Sequence, residues 1–581
     1  MADSAVLGRL DRLPAETRGP KTRLLWVVVF GALTVGVAAW AIAGIYPSVI
    51  ALWAFVVAAV ALTLVLPLPY AFVAPLYAGV LGWLVDMLPL LILAAWTTVV
   101  LRWMWSLWRD RRMPRGGRWI WLPVGLLVWT GFGVVPIALS GFEDFKHFLL
   151  LAGIQFVASG TLVAVVDLFA DVDNRARVVA SLALFVTILS AAVFLQWIGV
   201  PVESLQDSTA RRTVEAAYGL DSFPNSVGMI KYARSVEAGS DELRRALEEL
   251  GRNTDGLPPY EVFRPRFQAF ENSLVVRFGG SARSYAGELA GLDIRLLYDN
   301  IGLAPANTVP RLRSFPRNAL TYAGVCAALF PMMLWLAWSY EGRRKVLGYL
   351  GAVSCLFGSA FSLARGSWVA ILIGILYLLV VGVLEKRRKI ELVAWFLAAA
   401  VVLAGTFFVK YGVDPVTGRA GGGASVATRQ NLYGDTLDAL KDYHLVTGYG
   451  TERPRLETGG VREGAAGGEY VPRAGTHSTY LNYLFRAGVV GVVLIAAVYL
   501  LAAFSARAAA RLRTGRERLF ATLITASIVA AAAHAVILSL YVEPTYTLTV
   551  TLLLGLATVA GSNLDASWLP WRSRPATDTR R

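Results

Sequence analysis

Two short polar motifs carry the residues best suited to chemistry in this chain. Arg365 lies in SLARGSW at residues 362–368, and His477 begins HSTYL at residues 477–481. A guanidinium binds two phosphate oxygens at once and keeps its charge, whereas an imidazole exchanges a proton near neutral pH. We therefore predict chemistry on a phosphate-bearing lipid. Arg365 would stabilise a leaving diphosphate, and His477 would accept a proton from an attacking hydroxyl.

Four further arginines are candidate diphosphate ligands. Arg311, Arg313 and Arg317 form a basic group just before an apolar segment that starts at Asn318. Arg429 falls in the first turn of a predicted helix, where its charge opposes the helix dipole and a bound anion would relieve the conflict. The alternative is structural: such cations also flank membrane segments, and Arg365 itself could be a snorkelling side chain at an interface.

A third group of residues could contact an acceptor or line a cavity: Tyr480, Lys146, His147 and His534. His534 falls in the outer part of a predicted span, and His147 in a predicted outer turn. The alternative for each histidine, His477 included, is an ordinary interfacial or packing role.

The elements that must position these residues are membrane-spanning helices. Apolar residues make up 56% of the 581 residues and charged residues 16%. The apolar residues come in blocks long enough to cross a bilayer, which needs about 20 residues per helix. The predicted fold class is an all-α polytopic membrane protein with about fourteen transmembrane helices and two large outer-side loops that contain short helices.

The predicted organisation has six parts. An N-terminal membrane region of seven spans is followed by a loop domain, four central spans, a catalytic loop, three C-terminal spans and a cytoplasmic tail. Their predicted ranges are 1–199, 200–317, 318–409, 410–486, 487–562 and 563–581. The span that follows His477 is expected to begin near Ala487.

Orientation follows from the distribution of basic residues. Lysines and arginines cluster in the N-terminal tail and in the turns at residues 343–345, 386–389 and 507–518. Because cytoplasmic loops are enriched in Lys and Arg, these segments are predicted to be inside, with both termini cytoplasmic and the large loops outside. The formal net charge of +15 then reports membrane topology, so nucleic-acid binding is not expected.

No cofactor is expected. Only two cysteines are present, Cys326 and Cys355, and both fall inside predicted spans, so neither a disulfide nor a cysteine metal site is predicted. The sequence has no HExxH motif, no DxD pair in an outer loop, no P-loop and no dinucleotide fingerprint. These features favour a metal-independent reaction that does not use nucleotide-activated sugars.

The motifs together resemble the bacterial O-antigen ligase and O-antigen polymerase superfamily over about residues 311 to 500. The resemblance rests on residues 362–370, on Arg429, on Gly448-Tyr449-Gly450, and on HSTYL followed by Gly488-Val489-Val490-Gly491. Many members differ at three places. They have Asn where this chain has Ser478, an acidic residue where it has Arg486-Ala487, and Pro-Asn where it has Arg317-Asn318.

The resemblance implies a GT-C-type glycosyltransferase of the cytoplasmic membrane in cell-surface polysaccharide assembly. Such enzymes transfer a glycan from a polyprenyl-diphosphate carrier to a glycan, lipid or protein acceptor at the outer face, without metal. Arg365 and the Arg311/Arg313 group match the arginines that bind the carrier diphosphate, and His477 matches the histidine that activates the acceptor. The implied partners are therefore membrane lipid, the carrier-linked glycan and the acceptor.

Two other classes stay open at the sequence level. A lipid-linked glycan flippase would also have many spans, but it would concentrate charge along an inner cavity, whereas the suspect cations here gather at predicted outer ends. A non-catalytic scaffold would use its loops to bind partners. Replacing Arg365 or His477 with alanine distinguishes these classes, because only an enzyme would lose transfer while keeping its fold and location.

Overall fold

The structure is helical throughout its described part. It is a computed structural model that describes residues 59–84, 88–111, 113–114, 121–132, 142–169, 171–198, 314, 319–362, 364–411, 433, 437, 440, 444–448, 478–537 and 543–562. No β-strand occurs in these ranges, in agreement with the predicted all-α class. The predicted loop helices at residues 241–250 and 429–442 lie outside them, apart from single residues of the second.

The N-terminal region contributes six helices: α1 (Leu68–Ala71), α2 (Ala74–Leu84), α3 (Leu88–Arg109), α4 (Trp121–Phe132), α5 (Phe142–Leu168) and α6 (Val172–Trp197). The central region contributes α7 (Ala319–Ser339), α8 (Gly342–Phe361), α9 (Arg365–Val380) and α10 (Lys386–Tyr411). The remaining helices are α11 (His444–Thr447), α12 (Thr479–Leu512), α13 (Gly515–Ile537) and α14 (Pro544–Ser562).

Six of the described helices are long and apolar enough to cross a membrane: α6, α7, α10, α12, α13 and α14. The chain is therefore a multi-pass membrane protein, while the predicted count of about fourteen spans is not confirmed. One predicted boundary differs. The span expected near Ala487 is preceded by a further helical stretch from Thr479, where Ser478 caps the helix by accepting a hydrogen bond from the Leu481 amide. The backbone is non-helical at Gly488, so a second helical stretch begins close to the predicted boundary.

Helices α7 and α13 form the centre of the bundle. Nearly all of α7 is buried, and it packs against α6, α8, α9, α13 and α14. Helix α13 also contacts α9, α12 and α14. In contrast α10 is mostly exposed and makes few contacts, with α7, α8 and α9. An apolar helix with so little protein contact is suited to a lipid environment.

Basic side chains gather at one end of the bundle. We call this end the basic end and define it by Arg344, Arg388 and Arg516 together with Tyr340. The guanidinium carbons of Arg344 and Arg516 lie 5.1 and 5.2 Å from the centre of the Tyr340 ring. Arg388 lies 5.8 Å from the ring of Trp338. Burial raises the pKa of the Tyr340 phenol, and both flanking arginines act to lower it. The turns predicted to share one membrane side therefore meet in space.

The opposite end, which we call the motif end, holds the starts of α9, α12 and α14 and the finish of α13. Helix α8 leaves the basic end at Gly342 and reaches the motif end at Phe361. Helix α9 then starts back at Arg365. Because α8 and α9 are antiparallel, Arg365 lies at the end of the bundle opposite the basic end.

Candidate functional site

The SLARGSW motif forms a tightly tied turn between α8 and α9. The Ser362 hydroxyl donates to the Ser359 carbonyl at 2.9 Å and accepts from the Ala364 amide at 3.3 Å. The indole N–H of Trp368 donates to the same Ser359 carbonyl at 2.6 Å. These bonds satisfy backbone groups at a helix end and a helix start, so they fix where α9 begins.

Arg365 is the first residue of α9 and is half-buried. Helix α9 has no side-chain cap at Ala364 and no acidic residue in its first turn. The amino terminus of a helix carries partial positive charge, so a cation placed there is unfavourable by itself and an anion bound beside it is favoured. The local electrostatics therefore suit a phosphate group.

Arg365 also lies in line with an exposed face of α9. Val369, Leu372 and Leu376 follow at positions that share this face, and their residues are 43%, 52% and 56% exposed. The opposite face, with Ala370, Ile371 and Leu378, is buried against the bundle. A cation therefore lies at the head of an apolar, exposed strip.

His534 connects the start of α9 to the neighbouring helices. Its Nε2 atom lies 3.4 Å from the Ser367 hydroxyl oxygen, and both residues are fully buried. The centre of its ring is 5.4 Å from that of Tyr546 at the start of α14. On α7, Gly324 leaves the space that the imidazole occupies, because a Cβ there would be 2.6 Å from His534 Cε1.

A partly open pocket of about 70 Å³ lies between α4, α5, α12 and α14. Its lining carries no charged side chain. The polar lining residues are Gln155, Ser159, Thr479, Tyr483, Tyr499, Tyr546, Thr547 and Thr551, and the others are apolar. The Tyr483 hydroxyl donates to Gln155 Oε1 at 3.0 Å within it. The pocket suits neutral groups, and a diphosphate would find no countercharge there.

The start of α12 lies beside this pocket. Thr479 lines the pocket, and Tyr480 packs edge-on against the pocket residue Tyr499 with ring centres 6.4 Å apart. Residues 478–481 of the HSTYL motif therefore lie at the motif end. His534 contacts both the start of α9 and the pocket lining, because its Nε2 atom lies near Ser367 of α9 and its ring packs near the pocket residue Tyr546.

Helix α12 bends at Gly488, which has φ 63° and ψ −168°. The indole N–H of Trp129 donates to the carbonyl of Ala487 at 2.7 Å, just before the bend. Gly448 packs against the same place, because a Cβ on it would be 2.5 Å from the Ala487 amide nitrogen. The Gly448 motif and the glycine-rich start of α12, which are distant in sequence, therefore meet.

The structure describes only some of the predicted site residues. It places Arg365, Tyr480 and His534 at the motif end. Lys146 and His147 lie within helix α5, so the outer turn predicted at His147 is wrong, and only the backbone of these two residues is described. The remaining predicted site residues, His477, Arg311, Arg313, Arg317 and Arg429, lie outside the described residues, so the predicted convergence of Arg365 and His477 stays a prediction.

Sequence reasoning missed several participants at this end. The sequence places Ser367 in the SLARGSW motif but predicts neither its contact with His534 nor the space that Gly324 leaves for the imidazole. Gln155 and Tyr546 gave no sequence signal, because a lone amide or phenol in an apolar helix is usually a packing residue.

Comparison with known families gives one match. The family model for O-antigen ligase (Wzy_C) matches residues 350–496, a segment that runs from α8 into α12. It includes Arg365, Gly448, His477 and Gly488, and it excludes His534. No curated protein matches the chain.

Proposed function

On the premise that the chain belongs to the O-antigen ligase family, which the match over residues 350–496 supports, we propose a transferase reaction. The protein moves a glycan from a polyprenyl-diphosphate carrier to an acceptor hydroxyl during cell-surface polysaccharide assembly. The acceptor is a glycan, a lipid or a protein. Transfer takes place at the outer face of the cytoplasmic membrane, with the motif end outside and both termini in the cytoplasm.

The proposed reaction breaks one bond and forms another. The acceptor oxygen attacks the anomeric carbon of the glycan, and the bond from that carbon to the diphosphate oxygen breaks. The acceptor proton passes to the imidazole of His477, and the bonding electrons leave with the polyprenyl diphosphate. Arg365 stabilises the charge that develops on this leaving group. Arg311, Arg313, Arg317 and Arg429 supply further cations for the diphosphate.

The observation that carries this proposal is the position of Arg365 at the head of the exposed face of α9. A polyprenyl diphosphate has an anionic head and a hydrocarbon tail. The guanidinium and the amino terminus of α9 favour the head, and the strip formed by Val369, Leu372 and Leu376 favours the tail. The uncharged pocket beside Thr479 suits a neutral part of the glycan or the acceptor.

The test separates binding from transfer. Wild type, Arg365→Ala and His477→Ala are reconstituted in vesicles with a carrier-linked glycan and an acceptor. We expect His477→Ala to bind the carrier-linked glycan normally while its kcat falls by about 100-fold or more. We expect Arg365→Ala to weaken carrier binding and lower kcat by a similar factor.

Arg343→Ala is the matched control, because Arg343 is an exposed arginine next to Arg344 of the basic end. It should behave as wild type. Wild-type transfer by Arg365→Ala would contradict the assigned role of Arg365, and wild-type transfer by His477→Ala would remove the proposed base.

A further inference from the structure

A buried histidine on α13, His534, contacts the first turn of α9 and lies outside the segment that matches the family. His534 has no exposed surface, so it does not reach a substrate in this conformation. Its Nε2 atom contacts Ser367 Oγ, and its Nδ1 atom has no hydrogen-bond partner among the described residues. A polar ring is expensive to bury in a membrane-spanning helix, so a role that retains it is expected.

We infer that His534 is a positioning residue for Arg365, acting through Ser367. The inference rests on the proposed function of Arg365. Residues two positions apart in an α-helix are separated by about 200° around its axis. The side chains of residues 367 and 365 therefore point to nearly opposite sides. When His534 holds Ser367 against α13, it turns Arg365 toward the exposed face of α9.

The packing around α9 supports this orientation. Gly374 lies seven residues after Ser367 and therefore on the same face, where a Cβ would be 3.3 Å from the Cβ of Ala530 on α13. The contact between α9 and α13 at Gly374 is thus close and is made by small residues. Near the start of α9 the contact between Ser367 and His534 provides the polar bond that fixes the rotation of its first turn.

The neighbouring helices α7 and α14 define the position of the imidazole itself. On α7, Gly324 leaves no side chain where the ring lies, and Tyr546 of α14 packs beside it. The Tyr546 hydroxyl in turn contacts the carbonyl of Ala531 on α13 at 3.4 Å. His534 is therefore fixed by its own helix α13 and by its neighbours α7 and α14, and it contacts α9 from this fixed position. A positioning residue requires such an arrangement.

The test uses donor kinetics of the full chain in vesicles. We expect Ser367→Ala and His534→Ala each to lower kcat/KM for the carrier-linked glycan by about tenfold to a hundredfold, because the guanidinium loses its fixed direction. The KM for the acceptor should stay unchanged. The double variant should be no worse than the worse single variant, because both changes remove one contact.

Two further variants separate positioning from general stability. His534→Gln replaces the imidazole with an amide that can still bond Ser367 and should recover part of the donor kcat/KM. Ser527→Ala, also on α13, removes a buried hydroxyl that has no hydrogen-bond partner among the described residues, and it should leave donor kinetics unchanged. Ser367→Ala changes a single atom, so it serves even if His534→Ala does not fold.

The outcomes also separate this inference from the proposed function. If Arg365→Ala loses transfer while Ser367→Ala and His534→Ala keep donor kinetics within twofold of wild type, the positioning role is wrong. Additive losses in the double variant, or equal effects on donor and acceptor KM, would also overturn it. If Arg365→Ala itself keeps wild-type transfer, the proposed function of Arg365 fails first.

Discussion

Gly448 lies directly against the peptide bond that joins Arg486 to Ala487. A Cβ at Gly448 would be 2.3 Å from the Arg486 carbonyl carbon, and the residue has φ +71°, a conformation that favours glycine. This contact holds the end of α11 on α12 just ahead of the bend at Gly488. Gly448 and Ser478, the described residues on either side of positions 449–477, are therefore both packed in the bundle.

We expect Gly448→Ala to lower the free energy of unfolding by about 1–3 kcal/mol, because the new methyl group meets backbone that cannot move aside and the backbone angle is strained. Transfer activity should fall as well, since the start of α12 is displaced. Gly515→Ala is the control, because Gly515 also has positive φ, at +56°, but open space around it. Unfolding in detergent measures both, and equal losses would show that the Gly448 contact does not matter.

The bend in α12 yields a second prediction. Trp129→Phe keeps an aromatic ring but removes the N–H that bonds the Ala487 carbonyl at 2.7 Å. We expect a loss of about 1 kcal/mol in the free energy of unfolding, the usual net value of such a bond. Trp105→Phe, at an exposed tryptophan of α3, should cause little change. If the two variants have equal stability, the bond to the bend contributes nothing measurable.

The orientation of the bundle can be tested by labelling with a membrane-impermeant thiol reagent. Ile198→Cys places a thiol at an exposed position where α6 reaches the motif end, and Glu341→Cys places one at the basic end. We expect the Ile198→Cys thiol to react in intact cells that have no outer membrane, and the Glu341→Cys thiol to react only after the cytoplasmic membrane is opened. The native thiols Cys326 and Cys355 are buried, so the parent protein is the blank. The reverse pattern would invert the proposed topology.

The exposed strip on α9 predicts where the carrier tail lies. A carrier analogue with a photoreactive group on the first isoprene units should label Val369 and Leu372. Arg365→Ala should reduce this labelling because the diphosphate is no longer held. Leu350 and Val353 on α8 have similar exposure and serve as the comparison. Equal labelling of both helices, unaffected by excess unlabelled carrier, would mean that the strip is ordinary lipid-facing surface.

Part of this picture was predictable from the sequence because it depends on local patterns. Long apolar blocks indicated the helices, and clusters of Arg and Lys indicated turns that prove to meet at the basic end. The start of α9 at Arg365 followed from the end of one apolar block and the beginning of the next.

The rest depends on contacts between distant segments. The space left by Gly324 for His534, and the approach of Gly448 to Ala487, are properties of packing that no periodicity encodes. The helical stretch from Thr479 to the bend at Gly488 is not expected from the polar, aromatic sequence there, and it forms with Ser478 as its cap, whereas the stretch after the bend begins near the predicted boundary. The apolar blocks likewise do not reveal which helices sit at the centre.

The most direct test of the proposed function is the stoichiometry of products in a single vesicle preparation. Purified protein, carrier-linked glycan and acceptor are incubated, and mass spectrometry follows both products over time. The account predicts one free polyprenyl diphosphate for each glycan that becomes covalently attached to the acceptor, with both products lost in Arg365→Ala. Passage of the intact carrier-linked glycan across the bilayer, with no free polyprenyl diphosphate formed, would contradict it.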